Sequence, residues 1–334
     1  MKKLLKQLTE TFGPSGYEDQ IRKLVRAEVE PLADEVKVDA LGNLIARKKP
    51  TRPSQDAKKI MIAAHMDEIG LMVSHVDEKG FVRFSPIGGV FGKYIPGGRV
   101  RFLNGVQGVI GYDRFDKVHE TPPLEKVFID VGAASQKDCP VKVGDVAAFD
   151  RPFIEMGNRL VAKSMDDRVG VLAAIETLRA LKTTPHDVYF VFTTQEEVGV
   201  RGAGTSAYGI DPDLGIALDV TSAADTPEAP KMTMALGKGP CIKIKDAGAL
   251  SDPRVVQWMI RTAEKNKIPY QREVLLFGGT DARAIQSTRA GVPSGCLSIP
   301  TRYVHSPSEM VDYTDVQNTV KLLTALLRAP IELQ

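Results

Sequence analysis

The sequence predicts an α/β protein with a mostly parallel sheet, interrupted by an inserted all-β domain that forms a small barrel. Short continuous apolar runs, such as residues 60–64 and 187–194, alternate with helical segments. This alternation is typical of parallel strands that are covered on both faces. Between residues 69 and 161, short β-rich pieces alternate with glycine, proline and aspartate, as in small antiparallel barrels. We therefore expect an α/β domain of residues 1–68 and 162–334 and an inserted β-domain of residues 69–161.

Apolar periodicity and terminal residues define the elements of the α/β domain. Ser15 and Glu18 form a predicted capping box for the second helix, and Ser251 is the predicted N-cap of a later one. The predicted helices cover about residues 4–12, 17–30, 166–181, 201–208, 252–267, 281–287 and 315–327. The predicted strands cover residues 35–38, 44–47, 60–64, 187–194, 214–218, 270–277 and 294–299.

Composition excludes several classes of partner. The 334 residues carry a formal charge of only +2, so neither a nucleic-acid partner nor an anionic membrane is expected. No apolar segment approaches the ~18–20 residues that span a bilayer. The three cysteines, Cys139, Cys241 and Cys296, are far apart and form no CxxC pair. That usage predicts reduced thiols in a cytoplasmic protein.

Metal-binding side chains follow four of the apolar runs. His65 follows residues 60–64, and the adjacent pair Glu196 and Glu197 follows the strand at 187–194. Asp219 and His305 come after the two later strands. Because parallel strands share one carboxyl edge, where sites of open α/β sheets form, we expect these side chains to converge.

A fifth candidate group, the carboxylate of Asp166, begins a predicted helix, where the positive end of the helix dipole favours negative charge. Asp166, Glu197 and Asp219 supply three negative charges, and a bridging hydroxide supplies a fourth, which two divalent ions balance. If Asp166 bridges the ions, each ion receives one histidine and one terminal carboxylate, with room to expand its coordination.

Two acids remain beside this ligand set. Glu196 is free to act as a general base on a water that bridges the metals. Asp67 lies two residues beyond His65 and is predicted to orient its imidazole without binding an ion itself.

Each of these residues also has an ordinary structural interpretation. His65 or His305 alone would be a polar loop residue, and Asp166 or Asp167 would cap a helix. The glutamate pair could form a solvated turn, and Asp219 could be a plain strand-end acid. Their joint placement at one edge favours the metal site. No other candidate metal ligands are predicted beside the remaining histidines, which are expected to be structural or exposed: His75, His119 and His186.

Eight segments, in order over nearly the whole chain, resemble the M42 family of metallo-aminopeptidases, the tetrahedral-aminopeptidase group of the metallo-exopeptidases. They are SGYE (15–18), DALGNL (39–44), AHMDEIG (64–70), SMDDRVG (164–170), TTQEEVGVRGA (193–203), ALDV (217–220), GGTDA (278–282) and RYVHSPSEM (302–310). The loop after Phe115 departs from the family in being short.

The resemblance implies a fold, a cofactor and an assembly: an α/β catalytic domain, an inserted β-domain used for dimerisation, two Zn²⁺ or Co²⁺ ions, and dimers that assemble into a homododecamer. It implies that His65 and Asp219 bind one ion and that Glu197 and His305 bind the other. Asp166, rather than Asp167, is implied as the bridge. Glu196 is implied as the general base and Asp67 as the partner of His65.

The function that these residues predict is hydrolysis of the N-terminal residue from unblocked short peptides by a dinuclear metal-dependent aminopeptidase. The alternatives are a deacylase or carboxypeptidase on the same scaffold and, in another class, a non-catalytic metal-binding or assembly protein. A glutamate beside the ligand set argues against the last, because binding alone needs no base.

Overall fold

A mixed sheet and a closed barrel organise the chain in the computed structural model, which describes residues 1–52, 54, 57–114 and 120–333. Within those ranges the sheet has eleven strands. They are β1 (Glu35–Val38), β2 (Leu44–Lys48), β3 (Lys59–His65), β10 (Ile154–Met156), β11 (Arg159–Ala162), β12 (Asp187–Thr193), β13 (Leu214–Ser222), β14 (Cys241–Lys245), β15 (Gln271–Val274), β16 (Ser294–Arg302) and β17 (Glu309–Asp312). The predicted α/β class with an inserted barrel is confirmed.

The centre of the sheet is parallel, as the continuous apolar runs predict. Strands β12, β3, β13 and β16 lie side by side and run in the same direction. Antiparallel pairs flank them, with β1 and β2 at one side and β17, β11 and β10 at the other. The four central strands therefore present one common carboxyl edge.

Helices cover both faces of this sheet. They are α1 (Lys2–Glu10), α2 (Asp19–Val29), α3 (Met165–Ala180), α4 (Arg201–Ile210), α5 (Pro253–Lys265), α6 (Asp281–Gln286) and α7 (Tyr313–Arg328). Alternate residues of β3 divide between two cores: Ile60 and Ile62 pack with α1, α2, α3, α5 and α7, whereas Met61 and Ala63 pack with α4 and α6. A strand buried on both faces in this way has no room for polar side chains until it reaches the edge.

The inserted barrel has six strands, and all its pairs are antiparallel. They are β4 (Gly70–Val76), β5 (Val82–Ile87), β6 (Arg99–Phe102), β7 (Gln107–Tyr112), β8 (Val127–Asp130) and β9 (Val146–Phe149). Closure leaves no free strand edge, and inward apolar residues such as Val100 and Ile129 fill the interior. The hairpin of β10 and β11 pairs with β17 of the large sheet. The domain boundaries at residues 68/69 and 161/162 remain predictions.

Both predicted helix caps are wrong. The side chain of Ser15 does not cap α2; its hydroxyl donates instead to Asp67 Oδ2 at 2.6 Å. Helix α5 is capped by Asp252, whose carboxylate accepts from the Arg254 N–H, and not by Ser251. The Asp252 cap is a local contact one residue beyond the predicted one, whereas the Ser15 hydroxyl is engaged by an acid 52 residues away in sequence.

None of the helices in the described part of the chain is long and apolar enough to cross a membrane. The three cysteines are free. The short loop after Phe115 includes residues 115–119, which lie outside the described residues, as does His119.

Candidate metal centre

The predicted metal-binding side chains lie at the carboxyl edge of the four parallel strands. His65 is the last residue of β3, the glutamate pair Glu196–Glu197 follows β12, and His305 lies in the turn after β16. Asp219 lies inside β13, because that strand continues to Ser222 rather than ending at residue 218 as predicted. The convergence expected from the sheet topology is thus present in space.

Asp166 lies between the two histidines. Its Oδ1 is 2.9 Å from His65 Nε2, and its Oδ2 is 3.3 Å from His305 Nε2. Its backbone departs from helical geometry (φ −71°, ψ 109°), but Asp166 lies in the first turn of α3, at the N-terminal end of the helix as predicted.

The remaining two acids pair with the same histidines. Glu197 Oε2 is 3.3 Å from His305 Nε2, and Asp219 Oδ1 is 4.0 Å from His65 Nε2. Ligand atoms of His65, Asp166 and Glu197 all lie within 4.8 Å of one another. Two clusters therefore share Asp166: the His65–Asp219 side and the His305–Glu197 side.

Asp67 is fully buried and accepts three hydrogen bonds through its carboxylate. The donors are the Ser15 hydroxyl at 2.6 Å and the backbone N–H groups of Glu196 at 3.0 Å and Glu197 at 3.1 Å. The ring of His65 contacts the same residue, since Nδ1 lies 3.2 Å from the Asp67 carbonyl oxygen and 3.5 Å from Oδ1. Asp67 thus ties the end of β3 to the segment after β12.

The electrostatics of the cluster are dominated by buried negative charge. Burial raises the pKa of Glu197 to about 7 and raises the pKa values of Glu196 and Asp219 well above their usual range. For Asp166 burial acts in the same direction, but hydrogen bonds to His305 and His65 outweigh it and hold its pKa below the ordinary value. The chain alone does not stabilise all of these carboxylates as anions.

The donor set fits divalent cations. Two imidazoles and three carboxylates meet at one place, and these are the ligands that zinc and similar ions take. Nearby, Asp167 Oδ2 and Asp281 Oδ1 are buried without a hydrogen-bond partner among the described residues. Cations beside the cluster would compensate the negative charge that burial disfavours.

A cavity of about 590 Å³ opens onto the cluster. Its wall includes Glu196 and the apolar side chains Phe91, Val200, Leu275 and Phe277. A larger groove of about 880 Å³ lies between α5 and α7, but its lining contains none of the predicted site residues. A small ligand therefore has space to reach the carboxylates through the first cavity.

Two buried acids near the cluster were not identified from sequence. Glu309 accepts hydrogen bonds from the backbone N–H groups of Asp166 at 2.9 Å and His305 at 2.7 Å. Asp281 accepts from the Thr193 hydroxyl at 2.5 Å. Both lie in segments that carry the family resemblance, GGTDA and RYVHSPSEM, which was the only signal for them.

The other described histidines lie apart from this cluster. His75 is exposed on β4 of the barrel. His186 is buried, accepts from the Lys58 N–H through Nδ1 and contacts the Ala329 carbonyl through Nε2. Both placements agree with their predicted structural or exposed character.

Comparisons with known proteins place this geometry in a family. The M42 glutamyl aminopeptidase model matches residues 42–322. The lysyl aminopeptidase of Pyrococcus furiosus is 39% identical, with 97% of this chain and 96% of that protein covered. The solved structure of aminopeptidase APDkam598 from the archaeon Desulfurococcus kamchatkensis is 43% identical, with a TM-score of 0.93 over 98% of this chain and 94% of that one. The PhTET1 structure, a dodecamer, is 34% identical, with a TM-score of 0.88 over 98% and 99% of the two chains.

Proposed function

Because this chain belongs to the M42 glutamyl aminopeptidase family and is an aminopeptidase, we propose that it uses two divalent metal ions to remove the N-terminal residue from unblocked short peptides. The observation that carries this proposal is the position of Asp166, whose two carboxylate oxygens face two different histidines. A carboxylate in that position is suited to bridge two ions. The native ions are proposed to be Zn²⁺ or Co²⁺.

The proposed ligands form two groups, according to the histidine that each carboxylate lies beside. His65 and Asp219 would hold one ion, Glu197 and His305 would hold the other, and Asp166 would be shared between the two. When bound, two divalent ions lower the pKa of water and polarise a peptide carbonyl. The protein chain supplies the orientation of these ligands and the proton acceptor.

Glu196 is the proposed general base. It lines the same cavity as the ligands, and its backbone N–H is held by Asp67. In the proposed reaction its carboxylate takes a proton from the attacking water and delivers that proton to the leaving amine. Burial raises the pKa of Glu196, which makes its ionised form a stronger proton acceptor.

The test is hydrolysis of matched peptides by the metal-loaded protein. We expect turnover of dipeptides and aminoacyl anilides with a free amine and none of N-acetylated analogues, with Zn²⁺, Co²⁺ and Mn²⁺ compared. Cleavage of the blocked substrates would instead indicate a deacylase or carboxypeptidase. Metal-loaded protein that is inert on the whole panel would support a binding or assembly role.

Replacing Glu196 by glutamine separates catalysis from binding. We expect Glu196→Gln to retain two ions per chain by elemental analysis and to lose turnover by at least about 100-fold, the contribution of a general base. The matched control is Glu78→Gln, which removes the same charge from an exposed position in the barrel region. Full activity of Glu196→Gln would exclude this residue as the base.

We also propose that dimers of this chain assemble into a dodecamer in the cytoplasm. The support is the similarity to PhTET1, which is a dodecamer in its solved structure. Light scattering of the purified protein tests the assembly. A mass of twelve chains is expected, and a stable monomer or dimer under all metal conditions would contradict it.

A further inference from the structure

The loop that follows β5 of the inserted barrel touches the His305–Glu197 side of the metal centre. The Gly89 carbonyl oxygen lies 2.9 Å from His305 Nδ1. A Cβ atom built at Gly89 would lie 2.4 Å from His305 Nδ1, and one built at Gly88 would lie 3.2 Å from Glu197 Oε2. The barrel backbone approaches both side chains as closely as it does because neither residue has a side chain.

This contact determines which nitrogen of His305 is available. A carbonyl oxygen can only accept a hydrogen bond, so Nδ1 must carry the proton. In the neutral ring that binds a metal ion, Nε2 then keeps its lone pair, and it is Nε2 that faces Asp166 Oδ2 and Glu197 Oε2 at 3.3 Å each. A hydrogen bond to the second ring nitrogen is the usual way in which proteins orient a metal-binding histidine.

The His305 ring also faces the Phe91 ring of the same barrel loop, with centroids 6.0 Å apart, in addition to the two carboxylates. Its side chain is 25% exposed, although its backbone N–H is fixed by Glu309 at 2.7 Å. His65, in contrast, is only 2% exposed and contacts Asp67, two residues further along the chain. The described contacts of Gly88 and Gly89 with the proposed ligands are thus with Glu197 and His305.

We propose that Gly88 and Gly89 form a positioning element by which the inserted barrel sets the geometry of the His305–Glu197 ion site and leaves the His65–Asp219 site unaffected. This inference rests on the proposed dinuclear function, which supplies the ions. It assigns to the barrel a part in the metal centre in addition to its proposed part in dimerisation.

The test compares Gly89→Ala with Gly209→Ala by competition titration of metal-free protein with Zn²⁺ against a chelator. Gly209 lies on α4, and a Cβ built there meets nothing within 4 Å. In Gly89→Ala we expect the affinity of one site to fall 10- to 100-fold, the usual effect of losing an outer-shell partner. The other site should stay within about twofold of wild type, and Gly209→Ala should match wild type at both.

A second measurement needs no variant of the loop. In the Zn²⁺-loaded wild-type protein, imidazole nitrogen NMR should show His305 with a protonated Nδ1 and a metal-bound Nε2. The signal is assigned by its loss in His305→Gln, and the chain has only five histidines. If Gly89→Ala does not fold, this spectrum decides alone, and zinc on Nδ1 overturns the inference.

The possible failures can be told apart. Wild-type protein that binds fewer than two ions refutes the dinuclear function itself and with it the role of the loop. If wild type binds two ions, two results for Gly89→Ala would refute only the selective role of the loop. One is that both affinities equal those of wild type, and the other is that both sites lose affinity equally.

Discussion

Replacing Asp67 by asparagine tests whether a single buried carboxylate holds the catalytic segment in place. The substitution keeps the shape of the side chain and removes its charge. In the wild-type protein Oδ1 accepts the Glu196 N–H, while Oδ2 accepts the Glu197 N–H and the Ser15 hydroxyl. Asparagine has only one oxygen, so in either orientation its NH₂ group faces a backbone N–H.

The expected loss of stability follows from the number of hydrogen bonds that asparagine cannot accept. One buried N–H is left without an acceptor, which destabilises the fold by about 1–3 kcal/mol. The Ser15 hydroxyl can rotate and accept instead, so it adds little. Because Asp67 also contacts the imidazole of His65, we expect metal affinity to fall 10- to 100-fold as well, which is the range for outer-shell partners.

Urea unfolding of the metal-free protein measures the first effect, and chelator competition measures the second. Ser15→Ala is the matched comparison, since it removes one donor and leaves the carboxylate with both backbone N–H groups. The order of destabilisation should be Asp67→Asn greater than Ser15→Ala. If Asp67→Asn unfolds at the wild-type urea concentration and binds Zn²⁺ with wild-type affinity, the reasoning from these hydrogen bonds is refuted.

Four further predictions concern stability. In the wild-type protein the buried cations Lys163 and Arg168 lie 2.5 and 3.5 Å from the Glu68 carboxylate. Glu68→Gln removes that carboxylate from both cations, so urea unfolding should show that the free energy of unfolding falls by about 3–5 kcal/mol. A fall below about 1 kcal/mol would contradict this. Phe190→Ala removes a fully buried ring from the main core and should cost about 3–5 kcal/mol in the same assay. Burial lowers the pKa of His186 in the folded protein. As the pH falls through about 6.5, the imidazole is therefore protonated in the unfolded chain before it is protonated in the folded one, which favours unfolding. The free energy of unfolding should thus fall less between pH 7 and pH 5 in His186→Gln than in wild type. Removal of bound ions by a chelator should lower the melting temperature, and added Zn²⁺ should restore it in a concentration-dependent way; an unchanged melting temperature would argue against ions at the buried cluster.

The central strands and the convergence of side chains were predictable because each depends on a local signal. A continuous apolar run such as residues 60–64 can only be buried on both faces, and parallel neighbours must share an edge. His65 and the glutamate pair 196–197 follow such runs directly, so their meeting required no knowledge of distant contacts.

What was missed depends on partners distant in sequence. Ser15 has the sequence context of a helix cap, yet its hydroxyl donates to an acid 52 residues away. Glu309 resembles a surface glutamate in sequence, and only the folded chain brings its carboxylate to the N–H groups of Asp166 and His305. The non-helical backbone of Asp166 likewise has no signature that separates it from an ordinary helix start.

These missed contacts suggest how the site keeps its geometry before any ion binds. The carboxylate of Asp67 holds the backbone of residues 196–197, and that of Glu309 holds the backbones of Asp166 and His305. Two buried acids thus connect segments that come from different strands, and they do so through main-chain hydrogen bonds that metal loss leaves in place. Hydrogen bonds to a buried acceptor are costly to lose, and those to the Asp67 carboxylate, whose pKa is lowered by its hydrogen-bond partners, are charge-assisted. The metal-free protein should therefore keep its ligands near their places. The ions then contribute chemistry and charge compensation to a site whose shape the chain has already set.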